Sequence, residues 1–318
     1  MLVTGVMHFA AYGQKSEDIS INTYDSLWKH DQRRAIIYLK EHVTNEEHTT
    51  KIRADFAYRL SDGFFFTGKL DSSLKYLNFS AITYETLGLD SLVFESIFQS
   101  GVYSRRSGKI PQARKYYDKA LAFARTTKQT LLEGDALNAI GVTFYAQGDM
   151  VNALQYYLDA MAIFEKLQAW QKLGKSYNNV GIIYKVFNNY DKAIEYYNKS
   201  IDIRLRANQA GKVYPAFFNI NELYHFTQQP QMALATSKKL LLIALENDNK
   251  DLQYHAYSML VNDYLNSGDI DSASLNIDHF KALALDDYDS ARTDRYLGKV
   301  YLQSRQTKKA IELFAQSL

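Results

Sequence analysis

The chain has 318 residues, 47% hydrophobic and 23% charged, which is ordinary for a folded protein and long enough for two domains or one repeat array. Its 37 basic and 35 acidic side chains leave a net charge of +2 without any run of five like charges, which argues against nucleic acid as a partner. The absence of cysteine excludes disulfides, thiol catalysis and cysteine-ligated zinc, and 3 prolines with 15 glycines are too few for a loop-rich β protein.

Residues 1–20 admit two readings. Leu2 to Ala11 is mildly apolar, and Ala11-Tyr12-Gly13 before Gln14 has the small-x-small form of a signal-peptidase site. Against this, no Lys or Arg precedes Lys15, and Gly5 and His8 interrupt the stretch. The segment is either a secretory-signal remnant, which would place the chain in the periplasm or cell envelope, or a frayed or disordered N-terminus on a cytoplasmic chain. Residues 21–50 are expected to form an N-terminal cap, helical over 21–42. No later stretch approaches the ~18 uninterrupted apolar residues of a membrane span, so any membrane connection would lie outside this chain.

From about residue 51 the chain repeats itself every 40 residues. Ala113, Ala153, Ala193, Ala233 and Ala273 form one column; Gly101, Gly141 and Gly181 a second; Gly68, Gly108 and Gly148 a third; Tyr117, Tyr157 and Tyr197 a fourth; Phe144, Tyr184, Tyr224 and Tyr264 a fifth. Within a repeat the small and aromatic residues recur 3 and 4 apart, the spacing of one helix face, and Gly148-Asp149 separates two such runs. Each repeat therefore reads as helix, tight turn, helix. Asp149 and Asp269 are placed to cap helices, and Pro111, Pro215 and Pro230 fall in first turns, where a missing N–H costs nothing. Neither helix can bury its apolar stripe alone, so repeats must stack.

Ala136-Leu137-Asn138-Ala139-Ile140-Gly141 with Phe144, Gly148, Ala153, Tyr157 and Ala160 resembles the tetratricopeptide repeat, as does the run from Ser176 to Gly181 with Tyr184, Ala193 and Tyr197. A 40-residue unit is similar to the long-helix variant of bacterial peptide-sensing regulators and kinesin light chains. The resemblance implies an all-α, right-handed superhelical solenoid of about seven repeats, over about 51–90, 91–130, 131–170, 171–210, 211–250, 251–287 and 288–318, behind an N-terminal cap helix. Ser61, Gly101, Gly141, Gly181, Asn221, Val261 and Gly298 mark the frame, the last step being 37. Leu318 closes a helix with no polar cap, so the array is expected to continue or to dock on something.

In that family the first helices of the repeats line a concave groove. Setting Gly141 at position 8, positions 2, 5, 6, 9, 12 and 13 would face it. Asn138 and Asn178 share position 5, and Asn179 and Asn219 share position 6. A ladder of amides can pair with the N–H and C=O of an extended peptide, or it can bridge neighbouring repeats. Lys175, Lys185, Arg105, Arg295 and Lys299 add basic groove positions and Glu222 an acidic one, while Tyr145, Phe218 and Tyr58 supply aromatic anchors. Arg106, Asp55, Asp62, Glu95, Phe65 and Phe98 fall on the same faces.

Other motifs carry little. Ala169 to Ser176 fits a relaxed phosphate-loop pattern but lies where a helix is expected. His42 and His48 lack metal-site order, and the sequons at Asn78 and Asn198 fall within expected helices. No catalytic constellation, cofactor or metal is expected. The expected function is binding of a protein or peptide ligand, as the sensing module of a bacterial signal-transduction protein whose output domain lies outside this chain; the alternative is a self-contained cytoplasmic adaptor or peptide-responsive regulator.

Overall fold

From the helix Thr50–Phe66 to the helix Lys250–Ser267, the helices stop on a left-handed residue, and these positions recur every 20 residues from 68 to 268. Glycine supplies five of them, at φ between 68° and 81°, whereas Lys128, Gln168, Asn188, Asn208, Gln228 and Asp248 adopt φ between 42° and 58°. The next N–H reaches five residues back, as from Lys109 to the Ser104 carbonyl at 2.9 Å and from Asn189 to that of Tyr184 at 2.9 Å. That next residue also begins the following helix. Asp149 accepts from the Asn152 N–H at 3.1 Å and Asp269 from that of Ser272 at 3.0 Å, as expected, and Asn189 and Asn249 cap in the same manner.

In the computed structural model, which describes residues 23–24, 26–284 and 287–316, the chain is an all-α helical repeat array, with no strand among the described residues. The helices are α1 (Gln32–Thr44), α2 (Thr50–Phe66), α3 (Leu70–Thr86), α4 (Asp90–Arg106), α5 (Ile110–Thr126), α6 (Thr130–Ala146), α7 (Met150–Lys166), α8 (Trp170–Val186) and α9 (Tyr190–Arg206). They continue as α10 (Tyr214–Phe226), α11 (Pro230–Glu246), α12 (Lys250–Ser267), α13 (Ile270–Ala282), α14 (Asp287–Gln303) and α15 (Thr307–Gln316). The readings of residues 1–20 and of Leu318 lie outside the described residues.

Two compact units divide the chain, the first ending at Gln147 and the second beginning at Gly148. In the first unit, α1 to α6 pack in sequence order, and α4 also meets α6. In the second, α7 to α15 pack in order, and the even-numbered helices α8, α10, α12 and α14 touch one another in succession. These even helices are the first helices of their repeats, so they form a close inner row whose side chains face one another across repeats. The helices from α2 to α9 have 17 residues each, so the length added beyond a shorter repeat is shared between both helices of a pair.

The small-residue column explains how the helices approach. Gly181 in α8 faces Tyr197 in α9, and a Cβ there would stand 2.6 Å from the ring and 3.2 Å from the Ala193 carbonyl. Gly101 and Tyr117 repeat the arrangement in the first unit, with the ring 2.5 Å from such a Cβ. Ala113, Ala193, Ala233 and Ala273 are fully buried at the same crossings.

The regular pattern breaks at three places. The stretch 21–42 is not one helix: Asp31 is extended, and its carboxylate caps α1 by accepting from Arg33 and Arg34 at 3.0 and 3.1 Å. A 3-10 turn at Ala210–Lys212 and Pro215 delay α10, leaving it 13 residues long. The helix α13 is also cut to 13 residues, so α14 starts 37 residues after α12 and the frame slips there. The phosphate-loop pattern is helical through Lys175, in α8.

Candidate functional site

In the second unit the inner row opens into a pocket of about 600 Å3, lined from α8, α10, α12 and α14 and from the turn into α9 at Asn188 and Tyr190. Its floor arises from a paired exchange in sequence. Where the neighbouring repeat has Gly181 against Tyr197, this one has Asn221 against Ser237. The ring is gone and the amide occupies the space, its two hydrogens shared among the Ala233 carbonyl at 3.0 Å, Ser237 Oγ at 3.1 Å and both Asp263 oxygens at 3.1 Å. Asp263 is buried and also accepts from Ser237 Oγ at 2.6 Å. His225 Nε2 lies 2.6 Å from Asp263 Oδ1 and, since a carboxylate accepts, donates to it. The imidazole is the exposed end of this network: His225 keeps 23% of its side-chain surface and Asp263 keeps 1%.

Paired charges and aromatic faces make the walls. Lys185 Nζ is 2.9 Å from Glu222 Oε2. Tyr214 stacks on His255 with centroids 3.9 Å apart and planes at 10°; burial, then the nearby Arg292 charge, hold that imidazole below its ordinary pKa. The half-buried Arg292 guanidinium reaches Ser258 Oγ at 3.5 Å, hydrogen-bonds the Tyr214 hydroxyl and lies 5.8 Å over the Tyr254 ring. Phe218 and Phe226 stay 38% and 70% exposed at the rim. Asn262 and Asn266, four apart on α12, line the same opening.

The first unit has its own inner-face cluster, in which tyrosines hold carboxylates. Tyr84 donates to Asp55 at 2.6 Å, Tyr58 to Glu95 at 3.3 Å, and Tyr103 to Asp62. Burial pushes the Asp62 carboxyl up to about 6, with the Tyr103 hydrogen bond opposing. Phe65 stacks on Tyr103 at 4.0 Å, and the Arg106 guanidinium covers Phe65 at 4.9 Å. Among the described residues there is no group of three or more His, Asp or Glu that could hold a metal ion, and no helix long and apolar enough to cross a membrane.

The tetratricopeptide repeat family model matches residues 96–166 and again 132–206, in the frame set by the glycine, alanine and tyrosine columns. Residues 96–206 carry tetratricopeptide repeats. Among solved structures that are similar to it are a signal transduction ATPase with a tetratricopeptide repeat sensor from Pyrococcus horikoshii (TM-score 0.61, 20% identity), of which the chain covers 44% with 95% of its own length. Another is a Rap protein complexed with competence and sporulation factor (TM-score 0.52, 18% identity, 86% of this chain and 76% of that one). The apo form of RapI (TM-score 0.54, 13% identity) is matched over 95% of this chain and 96% of that one. At these identities the likeness establishes the fold. No curated protein matches the chain in a sequence search.

The repeats distribute the sequence-predicted groove residues unevenly. In the second unit Lys185, Phe218 and Glu222 line the pocket, and Asn219 Nδ2 donates to Asn178 Oδ1 at 3.3 Å, bridging neighbouring repeats. Asn179 is half-buried and Lys175 exposed on α8, whereas Arg295 and Lys299 are exposed on α14 away from the pocket lining, with the Lys299 ammonium 5.0 Å over Tyr296. In the first unit Asn138 is 6% exposed and Tyr145 38%; Tyr58 is tied to Glu95, and Arg105 hydrogen-bonds Tyr117. His225, Asn262, Asn266, Arg292 and Tyr296 line the pocket without having been singled out. The signal for them was present in the tetratricopeptide frame, since they occupy positions 12, 9, 13, 2 and 6 of their repeats.

Proposed function

We propose that this chain is a protein- or peptide-binding scaffold and that the inner row of the second unit is its ligand face. The observation that carries the reading is the pocket on that row, lined by exposed Phe218 and Phe226 and by the Lys185–Glu222 pair, with the Asn178–Asn219 amide bond joining the same two helices α8 and α10. Aromatic anchors among oriented polar groups are the makings of an interface hot spot. The Asn178–Asn219 bond uses one amide N–H and one carbonyl, so the Asn178 NH2 and the Asn219 carbonyl remain able to serve a peptide backbone.

A finer reading follows from what the similar structures are called. The chain is the sensing module of a signalling protein, as the repeats of the Pyrococcus horikoshii ATPase are named a sensor. The alternative is a self-contained cytoplasmic adaptor or peptide-responsive regulator, a reading supported by the similar fold of a Rap protein complexed with competence and sporulation factor.

The test is selection of binding peptides from a displayed library on the purified chain, followed by affinity and melting measurements on variants. Phe218→Ala should weaken a selected peptide by about 1 to 3 kcal/mol with the melting temperature unchanged. Asn219→Ala should cost a similar amount of binding if the amide meets the peptide backbone. Lost stability with intact binding would assign Asn219 to bridging repeats alone, and selected peptides indifferent to Phe218 would remove this face from the reading.

A further inference from the structure

The two cations that line the pocket differ in how their charge is met. Lys185 is paired with Glu222 at 2.9 Å, while buried Asp263 is taken up by hydrogen bonds from His225, Asn221 and Ser237. Arg292 makes no ion pair among the described residues: its partners Tyr214, Ser258 and Tyr254 are neutral, and buried Asp289, one turn earlier on α14, acts on the same Tyr254 and His255 rings. A half-buried guanidinium has lost part of its hydration, and no paired carboxylate offsets that loss. On an element facing an open pocket, the missing charge can arrive with a ligand.

We propose that this pocket receives a carboxylate carried on an aromatic group, with Arg292 as the anion anchor. The flat guanidinium fork fits the two oxygens of a carboxylate, and a monoanion is enough to pair its single charge. A phosphate monoester dianion would bring a second negative charge beside Glu222 and buried Asp263. The lining selects the rest of the ligand. Tyr214, Phe218, Phe226 and Tyr296 present ring faces and edges, which suit a flat apolar body. The side-chain amides of Asn262 and Asn266 make no hydrogen bond among the described residues and can meet a hydroxyl or amide on that body. A volume of about 600 Å3 lies inside the range of small-ligand sites, roughly 300 to 1,000 Å3. The same chemistry comes from two sources: a free aromatic acid, or the C-terminal aromatic residue of a peptide. The inference rests on this face being a binding face.

The test uses four probes on the intact chain by calorimetric titration: 3-(4-hydroxyphenyl)propionate, N-acetyltyrosine, N-acetyltyrosinamide and phenyl phosphate. The two carboxylates should bind, and the amide should bind at least tenfold more weakly. Arg292→Gln should weaken the carboxylates by roughly 10- to 100-fold while leaving the amide unaffected. If Arg292→Gln does not fold, Arg292→Lys keeps the charge without the fork and should still show a loss of roughly tenfold. Tighter binding of N-acetyltyrosine than of the propionate identifies a peptide terminus as the source, and equal binding a free acid. Amide and acid binding alike, tighter binding of phenyl phosphate, or no binding by either carboxylate would overturn the proposal. A library-selected peptide whose affinity survives Arg292→Gln would leave the scaffold reading intact and also overturn this one.

Discussion

Gly181→Ala tests the packing logic at its tightest point. The new methyl would stand 2.6 and 2.7 Å from two carbons of the Tyr197 ring, where carbon atoms at rest sit at about 3.5 to 4.0 Å. The ring cannot swing away, because Tyr197 is fully buried, and the Ala193 carbonyl closes the other side at 3.2 Å. Overpacking of this kind costs about 1 to 3 kcal/mol. Alanine also gains about 1 kcal/mol over glycine inside a helix, so the net change lies between about zero and 2 kcal/mol of destabilisation. The sign in a second background separates the two contributions. With Tyr197→Ala the ring is absent and Gly181→Ala should become stabilising by about 1 kcal/mol, a coupling of about 1 to 3 kcal/mol. Urea unfolding of the four proteins, followed by circular dichroism at equal m-values, measures it. If Gly181→Ala raises the midpoint equally in both backgrounds, the glycine column does not mark a close approach and the packing argument fails.

Two further outcomes follow from the polar clusters. Asp263→Ala should destabilise by roughly 3 to 5 kcal/mol, because Asn221, Ser237 and His225 all lose their buried acceptor; a urea midpoint within error of the parent would show the network to be dispensable. Asp62, raised from 3.8 to about 6 chiefly by burial, gives a stability that depends on pH. Its folded-state value exceeds the unfolded one, so between about pH 4 and 6 the native state holds more protons and stability falls as pH rises, by about 3 kcal/mol at most. Unfolding midpoints across that window should show the decline in the parent and lose it in Asp62→Asn.

The fold was legible because its constraints repeat. A residue such as Ala193 must be small at each crossing, and a position constrained five times in one frame stands out of a single sequence. The turns were half legible. Glycine marks the left-handed residue at 68, 108 and 148, but at Lys128, Gln168 and Gln228 the same conformation is imposed by the helices on either side and leaves no residue signature. The break at Asp31 was missed because a capping aspartate inside an apolar-periodic stretch resembles an ordinary surface residue. The pocket was hidden for a different reason. Its polar floor sits where the frame fails, at Asn221, Ser237 and Asp263, and departures from a repeat read as degeneracy until the coordinates show that they contact one another. Arg292 falls at groove position 2 of its repeat, but its contact with Ser258 of the preceding repeat lies across the 37-residue step created by the short helix α13, which spacing alone does not show.

Within each unit, packed helices are immediate or next-but-one neighbours along the chain. The contact order is therefore low, and the entropy of closing any native loop is small. During synthesis an emerging helix finds its partner in a segment that left the ribosome just before it, so the growing chain never has to hold an apolar stripe open for a distant strand or helix.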